Sequence, residues 1–213
     1  MVIAVLADES IKNEILAWES SRPNDYVWAD SLSSLIMIEA DLYFDLKFEM
    51  DVERTGKLRR LLPKPVFIGA VIDTLASIGE DRFIRINSWQ GMIGRETREL
   101  AFADQNLSLV NSLVESLGWK SIRVPDLPGM VTPRILATII NEAFFAVQEG
   151  VSSRSGIDLA MKSGTSYPFG PFEWAEKIGP AKILKLLRYL QKGNTRYEVS
   201  DELVKEAAAK KTI

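Results

Sequence analysis

The 213-residue chain contains no cysteine and no histidine. Without cysteine it has no disulfide, no thiolate nucleophile and no sulfur ligand. Without histidine it also lacks the commonest transition-metal ligand and the one side chain that ordinarily titrates near neutral pH. Structural zinc is excluded on both counts, and no metal site is expected. Glycine is missing until Gly56, so no glycine-bearing phosphate turn can follow the first apolar run. No stretch reaches the roughly 18 unbroken apolar residues of a membrane span, and residues 1–8 are too short and too soon acidic for a signal peptide. A cytoplasmic chain with no membrane partner is expected. A basic excess is absent as well: 26 Lys and Arg face 29 Asp and Glu, for a net charge of -3, which argues against a nucleic-acid partner.

What is present is globular. Hydrophobic residues make up 46% and charged residues 26%, enough to bury a core and far from the composition of a disordered chain. Residues 1–127 alternate short apolar runs with helical patterns. Strands are predicted at 2–7, 26–29, 42–46, 66–71, 83–88 and 121–124, and their unbroken apolarity predicts a parallel sheet covered on both faces. Helices are predicted around Ile11 to Trp18 and at 31–38, 52–62 and 106–117, the last stopped by Gly118. From residue 128 the pattern is all helical. Thr132 as cap and Pro133 at the first helical position open a long helix with a broad apolar face, and Gly150 ends it. Further helices are predicted at 153–162, 172–178, 181–191 and 201–211, with Lys205, Lys210 and Lys211 on a solvated tail. The predicted architecture is therefore α/β, a shortened Rossmann-like parallel-sheet domain (1–127) followed by an all-helical C-terminal domain (128–213).

Several short motifs in order carry a family resemblance. They are Leu117-Gly118, Asp126-Leu127-Pro128-Gly129-Met130, Asn141-Glu142-Ala143, Gly150-Val151-Ser152, Ile157-Asp158, Ala160-Met161-Lys162 and Pro168-Phe169-Gly170-Pro171-Phe172. Together they resemble the 3-hydroxyacyl-CoA dehydrogenases from residue 82 to about 179. The resemblance implies a role in fatty acid metabolism, with NAD-linked oxidation of a 3-hydroxyacyl-CoA by a histidine–glutamate pair. In the run Arg82-Phe83-Ile84-Arg85-Ile86-Asn87, Asn87 stands at the histidine position. An amide can hold a hydroxyl but cannot act as the base. The partner glutamate falls on Glu99, the candidate catalytic residue. The family's active-site asparagine falls on Pro133, and the substrate-binding serine aligns loosely with Thr74. Asn141 and Glu142 read as structural, and 168–172 as architectural.

At the cofactor end, Ala7-Asp8-Glu9 places carboxylates where a dinucleotide's phosphates would sit. The resemblance so read implies a family protein impaired or inactive in hydride transfer, a pseudoenzyme with a degenerate Rossmann domain. No cofactor is expected, or NAD only in an atypical mode. An acyl-CoA or small hydroxy acid is the expected ligand, and a homodimer through the helical domain the expected assembly. Two alternatives stay open: an active oxidoreductase on a hydroxy acid or its CoA ester using Glu99, and a dimeric ligand-binding or interaction module.

Overall fold

The computed structural model describes residues 1–19 and 24–209. The chain forms two compact units, Met1–Met130 and Val131–Ile213.

The first unit is a seven-stranded sheet of β1 (Val2–Leu6), β2 (Asp25–Ala29), β3 (Leu42–Asp45), β4 (Val66–Ile68), β5 (Ile84–Ile86), β6 (Thr97–Ala101) and β7 (Lys120–Arg123), in the order β2-β1-β3-β4-β5-β6-β7. Its helices are α1 (Glu9–Glu19), α2 (Leu32–Leu35), α3 (Val52–Arg59), α4 (Leu75–Ile78) and α5 (Leu107–Ser116). Alternate residues of the central strands feed two cores. Ala4, Leu6, Tyr43, Val66 and Ile68 pack with Leu35, Leu58 and Ile78 of α2, α3 and α4. Ile3, Val5, Phe44, Phe67 and Ile84 pack with Ile11 and Val110 of α1 and α5. Both faces are therefore buried, which is why these strands read as unbroken apolar runs.

One strand departs from the sequence expectation. β6 was not predicted, and it runs antiparallel to β5, so the sheet is not wholly parallel. Thr97-Arg98-Glu99 hides it, because a strand this polar lacks the apolar signature. Arg98 is nevertheless 4% exposed. Its guanidinium lies 3.9 Å from the ring centre of Trp18 and 4.1 Å from that of Trp119, so two indole faces take the place of water around the cation. α4 is a second feature without a sequence signal; its one turn is held by a capping box between Thr74 and Ser77. Where α4 ends, Gly79 adopts a left-handed conformation, and the adjoining Glu80 is nearly buried. Arg82, and then Arg59, hold the Glu80 carboxyl down to about 2, against the opposing effect of burial.

The second unit is built on α6 (Thr132–Gln148), against which α8 (Pro171–Ile178), α9 (Pro180–Gln191) and α10 (Asp201–Ala209) pack, with α7 (Arg154–Thr165) beside α8. Thr132 is the first residue of α6 rather than its cap; Val131 holds the cap position and Pro133 lies in the first turn. Asn141 accepts from the Ser200 amide at 3.0 Å and donates to the Glu198 carbonyl at 2.8 Å, tying the middle of α6 to the start of α10. The 168–172 run has a physical reason. The Asp158 carboxylate accepts from the Phe172 amide at 2.8 Å, and a Cβ on Gly170 would meet that carboxylate, so only glycine lets α7 cap α8 this closely. Phe172 meets Phe144 edge-on with ring centres 5.0 Å apart. Lys205 pairs with Glu202; Lys210 and Lys211 lie outside the described residues. Among the described residues no helix is long and apolar enough to cross a membrane.

Candidate functional site

The sheet has a topological switch point. From β1 the chain moves to β2 on one side and then returns to β3 on the other, and open α/β sheets bind ligands outside the strand ends at such a point. Parallel register aligns Leu6 with both Ala29 and Asp45, so Asp8, Asp30 and Lys47 lie just beyond this edge. Asp30 is exposed at the end of β2, about 20 residues past the first turn, where a dinucleotide fold places the acid that holds the adenosine ribose. Across the crevice, the Lys47 ammonium is 2.8 Å from Asp8, with both side chains about half exposed. Asp45 is fully buried and gripped through two hydrogen bonds by Arg54. Burial pushes its carboxyl up, and Arg54 opposes the rise. The crevice thus fits the ribose end of a dinucleotide, and at the phosphate end it presents a cation already held by a carboxylate instead of a glycine turn.

Further along the same edge are the residues singled out by the sequence. Asn87 follows β5 and is 5% exposed. β5 and β6 pair Arg85 with Ala101 and Ile86 with Leu100, and the Asn87 amide then donates to the Glu99 carbonyl at 3.2 Å. Residues directly opposed on antiparallel strands project to one face, so the Asn87 and Glu99 side chains share a face of the sheet. The Asn87 carboxamide oxygen accepts from the Trp89 amide at 3.3 Å. Thr74 lies beyond the end of β4, and its hydroxyl caps α4 by accepting from the Ser77 amide at 3.1 Å. A capping hydroxyl keeps one lone pair and can still meet a ligand. Pro133, in the second unit, is buried in the first turn of α6 and has no side-chain polar atom.

The sequence reading passed over Asp30, Lys47 and Arg85. An acid directly after the second strand was a usable signal for Asp30. An arginine flanked by Ile84 and Ile86 marked a charge pointing into the sheet's own packing. Lys47 had no local signal, because its partner Asp8 is remote in sequence.

Comparison with known proteins adds a second line of argument. A family profile described as 3-hydroxyacyl-CoA dehydrogenase, C-terminal domain, matches residues 129–212. Over 86 residues the chain is 43% identical to a 3-hydroxyadipyl-CoA dehydrogenase of Escherichia coli, a match covering 39% of this chain and 18% of that protein. Over 96 residues it is 38% identical to a probable 3-hydroxybutyryl-CoA dehydrogenase of Bacillus subtilis, covering 45% of this chain and 33% of the relative. The chain thus spans a third or less of the length of these relatives. A solved (S)-3-hydroxybutyryl-CoA dehydrogenase of Ralstonia eutropha has the same fold, with a TM-score of 0.75 at 19% identity over 98% of this chain and 94% of that one.

These matches correct one expectation. The relatives are dehydrogenases of an NAD-dependent family, so NAD is the expected cofactor, against the expectation of none or of NAD only in an atypical mode. That expectation rested on the missing glycines and on the Asp8 and Glu9 carboxylates, and left out Asp30 at the end of β2. With the helical motifs and the matched profile in agreement, residues 129–212 form a 3-hydroxyacyl-CoA dehydrogenase C-terminal domain, and the chain is similar to members of that family.

Proposed function

We propose that this chain is an NAD-linked oxidoreductase-type protein of fatty acid metabolism that holds an acyl-CoA thioester or a small hydroxy acid, and that its hydride transfer is impaired. One observation carries this reading. The position opposite Glu99, where the chemistry needs a base, is filled by the amide of Asn87, in a chain with no histidine. When bound, NAD supplies the acceptor for the hydride released as a secondary alcohol is oxidised. Asp30 would hold its ribose and Lys47 its diphosphate. Asn87 would donate a hydrogen bond to the substrate oxygen, and Thr74 would contact the ligand at the neighbouring strand end. Of the pair, Glu99 alone could take the hydroxyl proton, and loss of a positioned base costs about 10²- to 10⁴-fold in rate.

The test is NADH formation by the purified chain with saturating NAD and 3-hydroxybutyryl-CoA. Turnover below about 0.1 per second is expected, the lower bound of ordinary enzymes reduced by part of that loss. Turnover of about 10 per second, the typical enzyme value, would refute the impairment. A second reading, in which Glu99 is itself the base, is favoured by its half-buried place opposite Asn87. It requires that Glu99→Gln abolish the residual rate.

The phosphate end gives a separate expectation. Asp8→Gly removes a carboxylate beside the diphosphate and frees Lys47. Two such unit charges near a water-exposed site are each worth about 1 kcal/mol at 4 Å. NAD should therefore bind about thirtyfold more tightly by titration calorimetry, while an unchanged affinity would remove Lys47 from the site.

A homodimer through the helical unit is part of the same proposal. α7 has no buried residue along its twelve positions, Leu159 is 64% exposed, and Ile135 of α6 is 55% exposed. Sedimentation equilibrium should give twice the chain mass at micromolar concentration; a monomer throughout would eliminate the dimer.

A further inference from the structure

Arg85 has no place in the chemistry above, yet it is the largest wholly buried side chain among the described residues. It rises from β5 beneath the segment that links β4 to α4. Its Nε donates to the Ala70 carbonyl at 2.8 Å and its Nη2 to the Val71 carbonyl at 3.0 Å. The same guanidinium reaches the final residues of the first unit, pairing with Asp126 at 2.5 Å and donating to the Leu127 carbonyl at 3.3 Å. Asp126 then returns to the loop, where its carboxylate accepts from the Leu75 amide at 3.0 Å and the Ala76 amide at 3.3 Å. The Gly129 amide closes the circuit on the Val71 carbonyl at 2.8 Å.

The cation therefore satisfies three carbonyls and one carboxylate that have no regular secondary-structure partner, which a lysine's single point of charge could not do. Gly129 and Met130 follow with successive left-handed backbones at φ 80 and 47, and Met130 is buried. A non-glycine residue keeps such a conformation only where its surroundings hold it.

We infer that Arg85 is a positioning residue that fixes the Ala70–Thr74 loop and the Asp126–Met130 segment as one rigid piece, and so sets where Thr74 meets the ligand. The last clause rests on the proposed function; the mechanical coupling does not. Burial that lowers the proton affinity of the guanidinium, opposed by Asp126, is in keeping with a cation stationed for its geometry.

Amide hydrogen exchange of the full chain tests the coupling without any ligand. In Arg85→Met, exchange at Leu75, Ala76 and Gly129 should rise about tenfold or more while β1 and β3 amides keep their protection. Arg85→Lys, which retains the charge beside Asp126, should restore Leu75 and Ala76 more fully than Gly129. Unchanged exchange at all three amides in folded Arg85→Met would overturn the inference, as would a loss spread evenly over the whole sheet. Should Arg85→Met not fold, Asp126→Asn, which keeps the shape and one acceptor, must raise exchange at the same three amides or the inference falls. The ligand clause is read from binding of 3-hydroxybutyryl-CoA. Arg85→Lys should weaken it about tenfold with NAD affinity unchanged. If the wild-type chain itself fails to bind the thioester, the proposed function fails, and the exchange result still decides the coupling.

Discussion

Asp126→Ala is expected to destabilise the protein by about 3 kcal/mol, the lower end of the range for breaking a buried ion pair from one side, because the Asp126 side chain itself is 29% exposed. The Arg85 guanidinium has no exposed surface, so the substitution strands a charge that water cannot reach. It also uncaps two amides of α4. Denaturant unfolding should show a lower midpoint with little change in slope. Arg85→Met combined with Asp126→Leu should recover only part of the loss, because it removes the stranded charge but leaves the Ala70 and Leu127 carbonyls and the Leu75 and Ala76 amides without those partners. A loss below about 1 kcal/mol for Asp126→Ala alone would show that solvent reaches the guanidinium when its partner is gone, and the pair would then carry little.

That pair also shows what the chain's sequence discloses and what it withholds. The helical half was legible nearly residue by residue. Its stripes repeat at helical spacing, and its boundaries are set by local chemistry: Ser153 caps α7, Pro171 opens α8 and Pro180 opens α9. The sheet was legible where both faces are apolar. It was missed at β6, where Arg98 is buried between Trp18 and Trp119, residues about 80 positions before it and about 20 after. No window of neighbouring residues contains both indoles, so the reading that a charged residue is solvated had nothing to oppose it. The Arg85–Asp126 and Asp8–Lys47 pairs have the same character, as each joins residues some 40 positions apart in the chain. The pairing of Asn87 with Glu99 was legible for a different reason. A twelve-residue spacing happened to span a hairpin, so a family pattern in one dimension became a cross-strand pair in three.

Asn87→His is expected to raise the rate of NAD-linked oxidation of 3-hydroxybutyryl-CoA by about 10²-fold, the lower part of the range for a positioned general base. The position is suited to the change. It sits directly opposite Glu99, which can accept from one imidazole nitrogen and leave the other free for the substrate hydroxyl. A carboxylate nearby favours the protonated imidazole and raises its pKa above the ordinary value of about 6.5. Because the base works only when neutral, the rate should climb as pH passes upward through that raised pKa, and the wild type should lack this limb. Glu99→Gln in the Asn87→His background removes the carboxylate, so the limb should shift to lower pH while the maximal rate falls about tenfold. Equal rates for wild type and Asn87→His, with both binding NAD and the thioester to saturation, would show that the missing imidazole is not what limits this chain. The cause would then lie in the placement of the thioester at Thr74 or of the cofactor against Asp8, and the Arg85→Lys and Asp8→Gly measurements separate those two.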